Sequence, residues 1–97
     1  MLASMLPSPF WTELSLRDMR AHDMSRVIAV APIAAVEQHG PHLPLGVDAM
    51  IMEGCVGRVA SRLPADLDVV FLPIQSVGVS TEHRDFPGTL TLTNETA

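Results

Sequence analysis

Lysine is absent, and six arginines face eleven acidic residues, for a formal charge of −5. With no basic run, the chain carries no phosphate-binding surface for DNA or RNA. Cysteine occurs once, at Cys55, so no internal disulfide can form and a disulfide-stapled secreted scaffold is excluded. Long apolar runs are missing: Val27 to Ile33 is among the longest, far below the roughly 20 residues a membrane helix needs. The opening MLASMLPSPF lacks both the positive charge and the apolar core of a signal peptide. P-loop, dinucleotide, His-Glu-x-x-His and Cys-x-x-Cys signatures are all absent. Gly78-Val79-Ser80-Thr81-Glu82 lacks the last glycine of a nucleophile elbow, which disfavours a serine hydrolase. At 97 residues, two-domain enzymes are excluded too. What is present is 47% hydrophobic and 18% charged, a globular composition. A cytoplasmic protein, with neither membrane nor nucleic acid as partner, is the expectation.

The mean hydropathy of +0.28 is high for so short a chain, because a small domain has little interior in which to bury apolar surface. Self-association, or membership of something larger, would resolve that tension. Residues 1–10 hold two prolines and no periodicity and read as a loose arm. Ser15 can cap a helix running to about Met24, with Asp18 in its first turn. Val27 to Pro32 and Asp68 to Pro73 are continuous apolar runs closed by proline, the pattern of strands buried on both faces of a parallel sheet. Between them, Met52, Cys55, Val56, Val59, Ala60 and Leu63 recur at three- and four-residue steps, placing them on one helix face. On that face Cys55 is expected as a small core residue, and the methionines at 50 and 52 as core filler. Strand–helix–strand at this spacing predicts a parallel pair with a right-handed crossover. Phe86 to Leu92 reads as a further strand and Asn94-Glu95-Thr96 as a helix start, cut off at Ala97. The expected fold class is α/β: one domain over residues 1–97, truncated at its C-terminal side.

The densest polar cluster is EQHGPHLPLGVD, residues 37–48. In extended backbone Glu37 and His39 project to one side, with Cα atoms roughly 6.5 to 7 Å apart. That spacing can place one ligand on each of two metal ions about 3.5–4 Å apart. Asp48 falls in the first turn of the second helix, where the dipole favours a carboxylate able to bridge two cations. Imidazole and carboxylate without thiolate suit Zn or Mn in an open site. The position, beyond the carboxyl end of a buried strand, is where open α/β sheets carry their sites. The residues alone leave a second reading open, since histidines and acids on a loop can simply be solvated.

EQHGPHLPLGVD resembles the signature of the creatininase (creatinine amidohydrolase) family. The lead-in Trp11-Thr12-Glu13-Leu14 is similar to that family's N-terminal part. So is a second block, Gly78-Val79-Ser80 with His83 and Phe86-Pro87-Gly88-Thr89. The resemblance implies part of a three-layer α/β/α fold with a mostly parallel sheet, commonly assembled as a hexamer. It implies a binuclear metal-dependent amidohydrolase acting on a small cyclic or linear non-peptide amide such as creatinine, through metal-activated water. Carried over by position, Glu37 binds one ion, His39 the other, and Asp48 bridges them. Ser80 matches a position next to the substrate. His42 belongs to the motif but is not carried over as a ligand. Family members are more than twice as long, and their two other metal ligands and assisting histidine come from the remainder, so no catalytic residue is assigned here.

His83, between Glu82 and Arg84, is read as a substrate contact or as support for a residue nearby; an ordinary hydrogen-bonded loop residue is the plainer alternative. His22 is expected only to meet a helix C-terminus. Two rival functions accompany the amidohydrolase. One is a non-catalytic fragment active only in binding or assembly, and the other a family member using a formylated pyrimidine nucleotide or a peptide.

Overall fold

The computed structural model describes residues 6–97. Local side-chain chemistry sets the first elements. After a 3-10 turn at Trp11–Glu13, helix α1 covers Leu16–Arg20 and is held by a reciprocal cap. Ser15 Oγ accepts from Asp18 N at 3.1 Å, and Asp18 Oδ2 accepts from Ser15 N at 2.8 Å. The helix ends before the expected Met24. The Asp23 carboxylate takes both the N–H and the hydroxyl of Ser25, at 3.1 and 2.6 Å, and starts a separate 3-10 turn at Met24–Arg26. Such local bonds compete with helical ones. His22 turns inward at this break, where it is buried with Nε2 2.6 Å from Asp68 Oδ2. It does more than meet a helix end: it ties the close of α1 to the start of the second strand.

Strands β1 (Ile28–Val30) and β2 (Val69–Phe71) run parallel, pairing Ile28 with Val69, Ala29 with Val70 and Val30 with Phe71. Helix α2, Val47–Ala60, connects them. Each strand is shorter than its apolar run because Pro32 and Pro73 bring no N–H to the ladder. Pairing resumes past the prolines, as Gln75 N donates to Pro32 O at 3.0 Å and Ala34 N to Gln75 O at 2.9 Å. On the other edge of β2, Phe71 N donates to Pro9 O at 2.7 Å and Phe10 bridges Phe71. Residues 9 and 10, read as part of a loose arm, are therefore anchored to the sheet; residues 1–5 of that arm lie outside the described part.

The third expected strand is not formed. Leu90 bridges Val36 antiparallel, whereas Leu92 N donates to Gly78 O at 2.8 Å. Because the backbone N–H groups of Leu90 and Leu92 go to different segments, no ladder builds. At the C-terminus Thr93, not Asn94, takes the capping position, with Ala97 N donating to its carbonyl at 3.0 Å and Thr96 N to its Oγ1 at 3.2 Å.

The apolar core is Val56, Val70 and Phe71. Around it the expected burial fails. Ile28 and Ala29 of β1 are exposed, and on α2 only Val56 is buried. Met50, Cys55 and Val59 face outward, although the spacing marks a core stripe. No element among the described residues covers these faces. The radius of gyration of 16.7 Å, with extents of 55 × 29 × 18 Å, exceeds the ~12–13 Å of a closed domain of this length. The molecule is an open α/β layer.

Candidate metal centre

The loop beyond β1 is closed by its own backbone. Glu37 N donates to Leu45 O at 3.2 Å, and Val47 N to Pro44 O at 3.1 Å. Gly40, at φ +76°, makes the turn between them, a conformation that favours glycine. Gly46 then caps α2, leaving Asp48 in the helix's first turn.

This closure brings Glu37, His39 and Asp48 together, each half-buried, with one donor atom per residue all within 4.8 Å of one another. His39 Nδ1 lies 2.9 Å from the backbone carbonyl of Glu37. A carbonyl only accepts, so Nδ1 carries the proton and donates it. The neutral ring then has a bare Nε2, and that atom sits 3.2 Å from Asp48 Oδ1. Two acceptors at this distance repel unless a cation lies between them. A proton can fill that role: the His39 pKa is raised above its ordinary value, chiefly by the Glu37 carbonyl bond and further by Asp48 and Glu37, against an opposing effect of burial. A divalent metal ion can fill it as well. The nitrogen and carboxylate donors, with no sulfur, match a zinc or manganese ion in an open site.

The second sequence block braces this loop. Gln38 N donates to Thr89 Oγ1 at 3.1 Å, and Leu90 N to Val36 O at 2.9 Å. Gly88, at φ +89°, packs so closely that a Cβ there would lie 2.6 Å from Leu45 Cδ1. His83 faces the site, with Nε2 3.9 Å from Glu37 Oε1 and 4.0 Å from Glu82 Oε1. Ser80 sits elsewhere. It is 0% exposed, with its N–H bonded to Thr91 Oγ1 at 2.8 Å and its Oγ without a partner among the described residues. His42 is exposed and belongs to neither donor group. Gln38 and Thr89 were not singled out by the sequence.

Residues 12–97 match the family model described as creatininase, creatinine amidohydrolase. The chain belongs to the creatininase family. Among curated relatives of this creatininase-family chain is the mycofactocin precursor peptide peptidase of Mycolicibacterium smegmatis, 42% identical over 73 residues. The alignment takes in 73% of this chain and 29% of the relative. The peptidase of the same name from Mycobacterium tuberculosis is 39% identical over 72 residues, covering 68% of this chain and 29% of the relative. The chain thus spans under a third of the length of these curated relatives. A solved mutant creatininase of Zn–Zn type superposes with a TM-score of 0.74 at 28% identity, over 92% of this chain and 35% of that one. The α/β class, and its standing as part of a larger creatininase-like fold, are thereby established. No helix among the described residues is long and apolar enough to cross a membrane.

Proposed function

We propose that this chain supplies the front of a metal-dependent amidohydrolase site, with Glu37 and His39 each holding one divalent ion and Asp48 bridging the two. The observation that carries this reading is the pair of facing acceptors, His39 Nε2 and Asp48 Oδ1 at 3.2 Å, beside Glu37. A Zn–Zn type creatininase, part of which superposes on this chain, supports zinc as one of the ions; manganese suits the same donors. Glu37, His39 and Asp48 would hold the ion, which would supply an activated water and polarise the carbonyl under attack. The chain's own residues prepare the place for it. The Glu37 carbonyl fixes the His39 tautomer, the 37–45 loop closure fixes the approach of both side chains, and α2 delivers Asp48 from the opposite side. Ser80 is placed beside the substrate by its match to the family position alone; in this chain it is buried, and its Oγ has no partner among the described residues.

The bond cleaved is an amide C–N bond. Of the substrate classes open to it, a peptide is favoured over a creatinine-like amide. Relatives named as precursor-peptide peptidases are 42% and 39% identical, against 28% for the solved creatininases. Exposed Ile28, Ile33, Met50 and Ile51 favour assembly with further copies of the chain, as in the expected hexamer.

Titration of the chain with zinc and with manganese tests the reading. One or two ions per chain, lost in Asp48→Asn, is the expected result; absence of binding by the unsubstituted chain contradicts it. In a full-length form with metal bound, product is expected from peptide amides faster than from creatinine, and the opposite ranking contradicts the peptide assignment.

A further inference from the structure

Two hydrogen bonds through Gln38 settle which ring nitrogen of His83 carries its proton, and that nitrogen faces the Glu37 carboxylate. Gln38 is the starting point. Its Oε1 accepts from Gly40 N at 3.1 Å, and because a backbone N–H only donates, the amide orientation is fixed. The amide nitrogen, Nε2, therefore faces His83 Nδ1, at 3.4 Å. Nδ1 must accept, which leaves the ring's single N–H on Nε2. That atom points toward Glu37 Oε1 at 3.9 Å. The backbone of Gln38 is itself clamped by Thr89 Oγ1 at 3.1 Å, so the relay starts from a fixed position.

Two roles for His83 compete. Glu37, Glu82 and His83 offer one donor atom each, all within 4.8 Å, so His83 could itself ligate a cation. Ligation by Nε2 requires that nitrogen bare, while Gln38 requires the same of Nδ1, and a neutral imidazole cannot meet both demands. Ligation would therefore cost the bond between Gln38 Oε1 and Gly40 N. An Nε2–H facing the Glu37 carboxylate keeps that bond.

We infer that His83, oriented by Gln38, is a positioning residue for Glu37 and is not itself a ligand. Its Nε2–H faces the half-buried Glu37 carboxylate at 3.9 Å, with the exposed Glu82 carboxylate at 4.0 Å, and biases Glu37 toward the orientation that would ligate metal. This rests on the proposed metal site. It assigns work to Gln38, which lies between Glu37 and His39 in the sequence and belongs to neither donor group. It also explains the physical dependence of residues 37–48 on residues 80–89. Hydrogen-bonded partners behind a metal ligand typically change affinity by roughly 10–100-fold when removed.

The test has one arm without metal and one with it. In the metal-free chain, long-range proton–nitrogen NMR is expected to show the Nε2–H tautomer at His83, and Gln38→Glu, which keeps the acceptor for Gly40 but removes the donor to Nδ1, to switch it to Nδ1–H. An Nδ1–H tautomer in the unsubstituted chain overturns the inference. With zinc, the His83 ring nitrogens are expected to show no ligation shift, while His83→Ala weakens zinc binding by roughly 10–100-fold with an unchanged circular-dichroism melt. A ligation shift at His83, or unchanged affinity in His83→Ala, overturns the inference and leaves the proposed site standing. Absence of zinc binding by the unsubstituted chain overturns the site itself, and the inference with it.

Discussion

The β1–α2–β2 frame and the pair of loops over residues 36–48 and 78–92 are held by different physics. The frame has the regular elements yet leaves much of its apolar surface open: Ile33 is 65% and Ile51 60% exposed. The loops contain almost no regular structure, yet their backbone and side-chain groups are bonded to one another from Val36 to Leu92. In the frame, order is local and burial is incomplete. In the loops, order comes from contacts between residues about 50 positions apart, such as Gln38 with Thr89. The site therefore depends on the loops being locked to each other more than on the sheet being covered.

Four substitutions or titrations can break that contrast or sharpen it. Val70 is fully buried in the frame, and Val70→Ala is expected to cost about 2 kcal/mol in chemical denaturation; a loss under about 0.5 kcal/mol would mean the small core does not hold the frame. Gly78→Ala places a Cβ 2.9 Å from the Ala34 carbonyl oxygen, a clash with backbone that cannot swing aside. A destabilisation of about 1–3 kcal/mol is expected, together with weaker zinc binding, because Gly78 also anchors Leu92. Thr89→Val removes the acceptor of the Gln38 N–H and should cost about 1 kcal/mol. If the loops are locked as described, zinc affinity falls in Thr89→Val and is untouched in Val70→Ala under conditions where both are folded. Ile51→Asp, on the open face of α2, should change stability by no more than about 0.5 kcal/mol while reducing self-association in light scattering.

The pH dependence at His39 has a definite sign. Its folded-state pKa is raised above the ordinary value of 6.5. The metal-free loop therefore gains stability from protonated His39 that is fully present below about pH 6.5 and is lost as pH rises through the folded-state value. Metal competes with that proton, so zinc affinity should rise over the same interval. An NMR titration midpoint below 6.5 would contradict the assignment of the Glu37 carbonyl as its partner.

The frame was legible because parallel strands and their connecting helix announce themselves by apolar runs and three- to four-residue spacing. What periodicity cannot show is whether anything covers the face it marks. The same stripe that holds Val56 in the core leaves Cys55 and Val59 in contact with solvent. The expected strand over Phe86–Leu92 failed for a related reason. Its alternation is strand-like, but the residues' hydrogen bonds go to Val36, Gly78 and Ser80 in turn. At the site, Glu37, His39 and Asp48 were legible from residue type and spacing, and the structure brings them together. The support from Gln38 and Thr89 was not, because an amide and a hydroxyl acting through hydrogen bonds across about 50 residues leave no local pattern. His22 was misjudged for the same reason, its partner Asp68 lying 46 residues away.

The most direct test of the account is a zinc titration of the chain followed at the ring nitrogens of His39. Zinc held by Glu37, His39 and Asp48 should shift Nε2 strongly while Nδ1 keeps its proton on the Glu37 carbonyl, with saturation at one or two ions per chain and no such shift in Asp48→Asn. Zinc binding that leaves His39 Nε2 unshifted, or that persists unchanged in Asp48→Asn, would contradict the account.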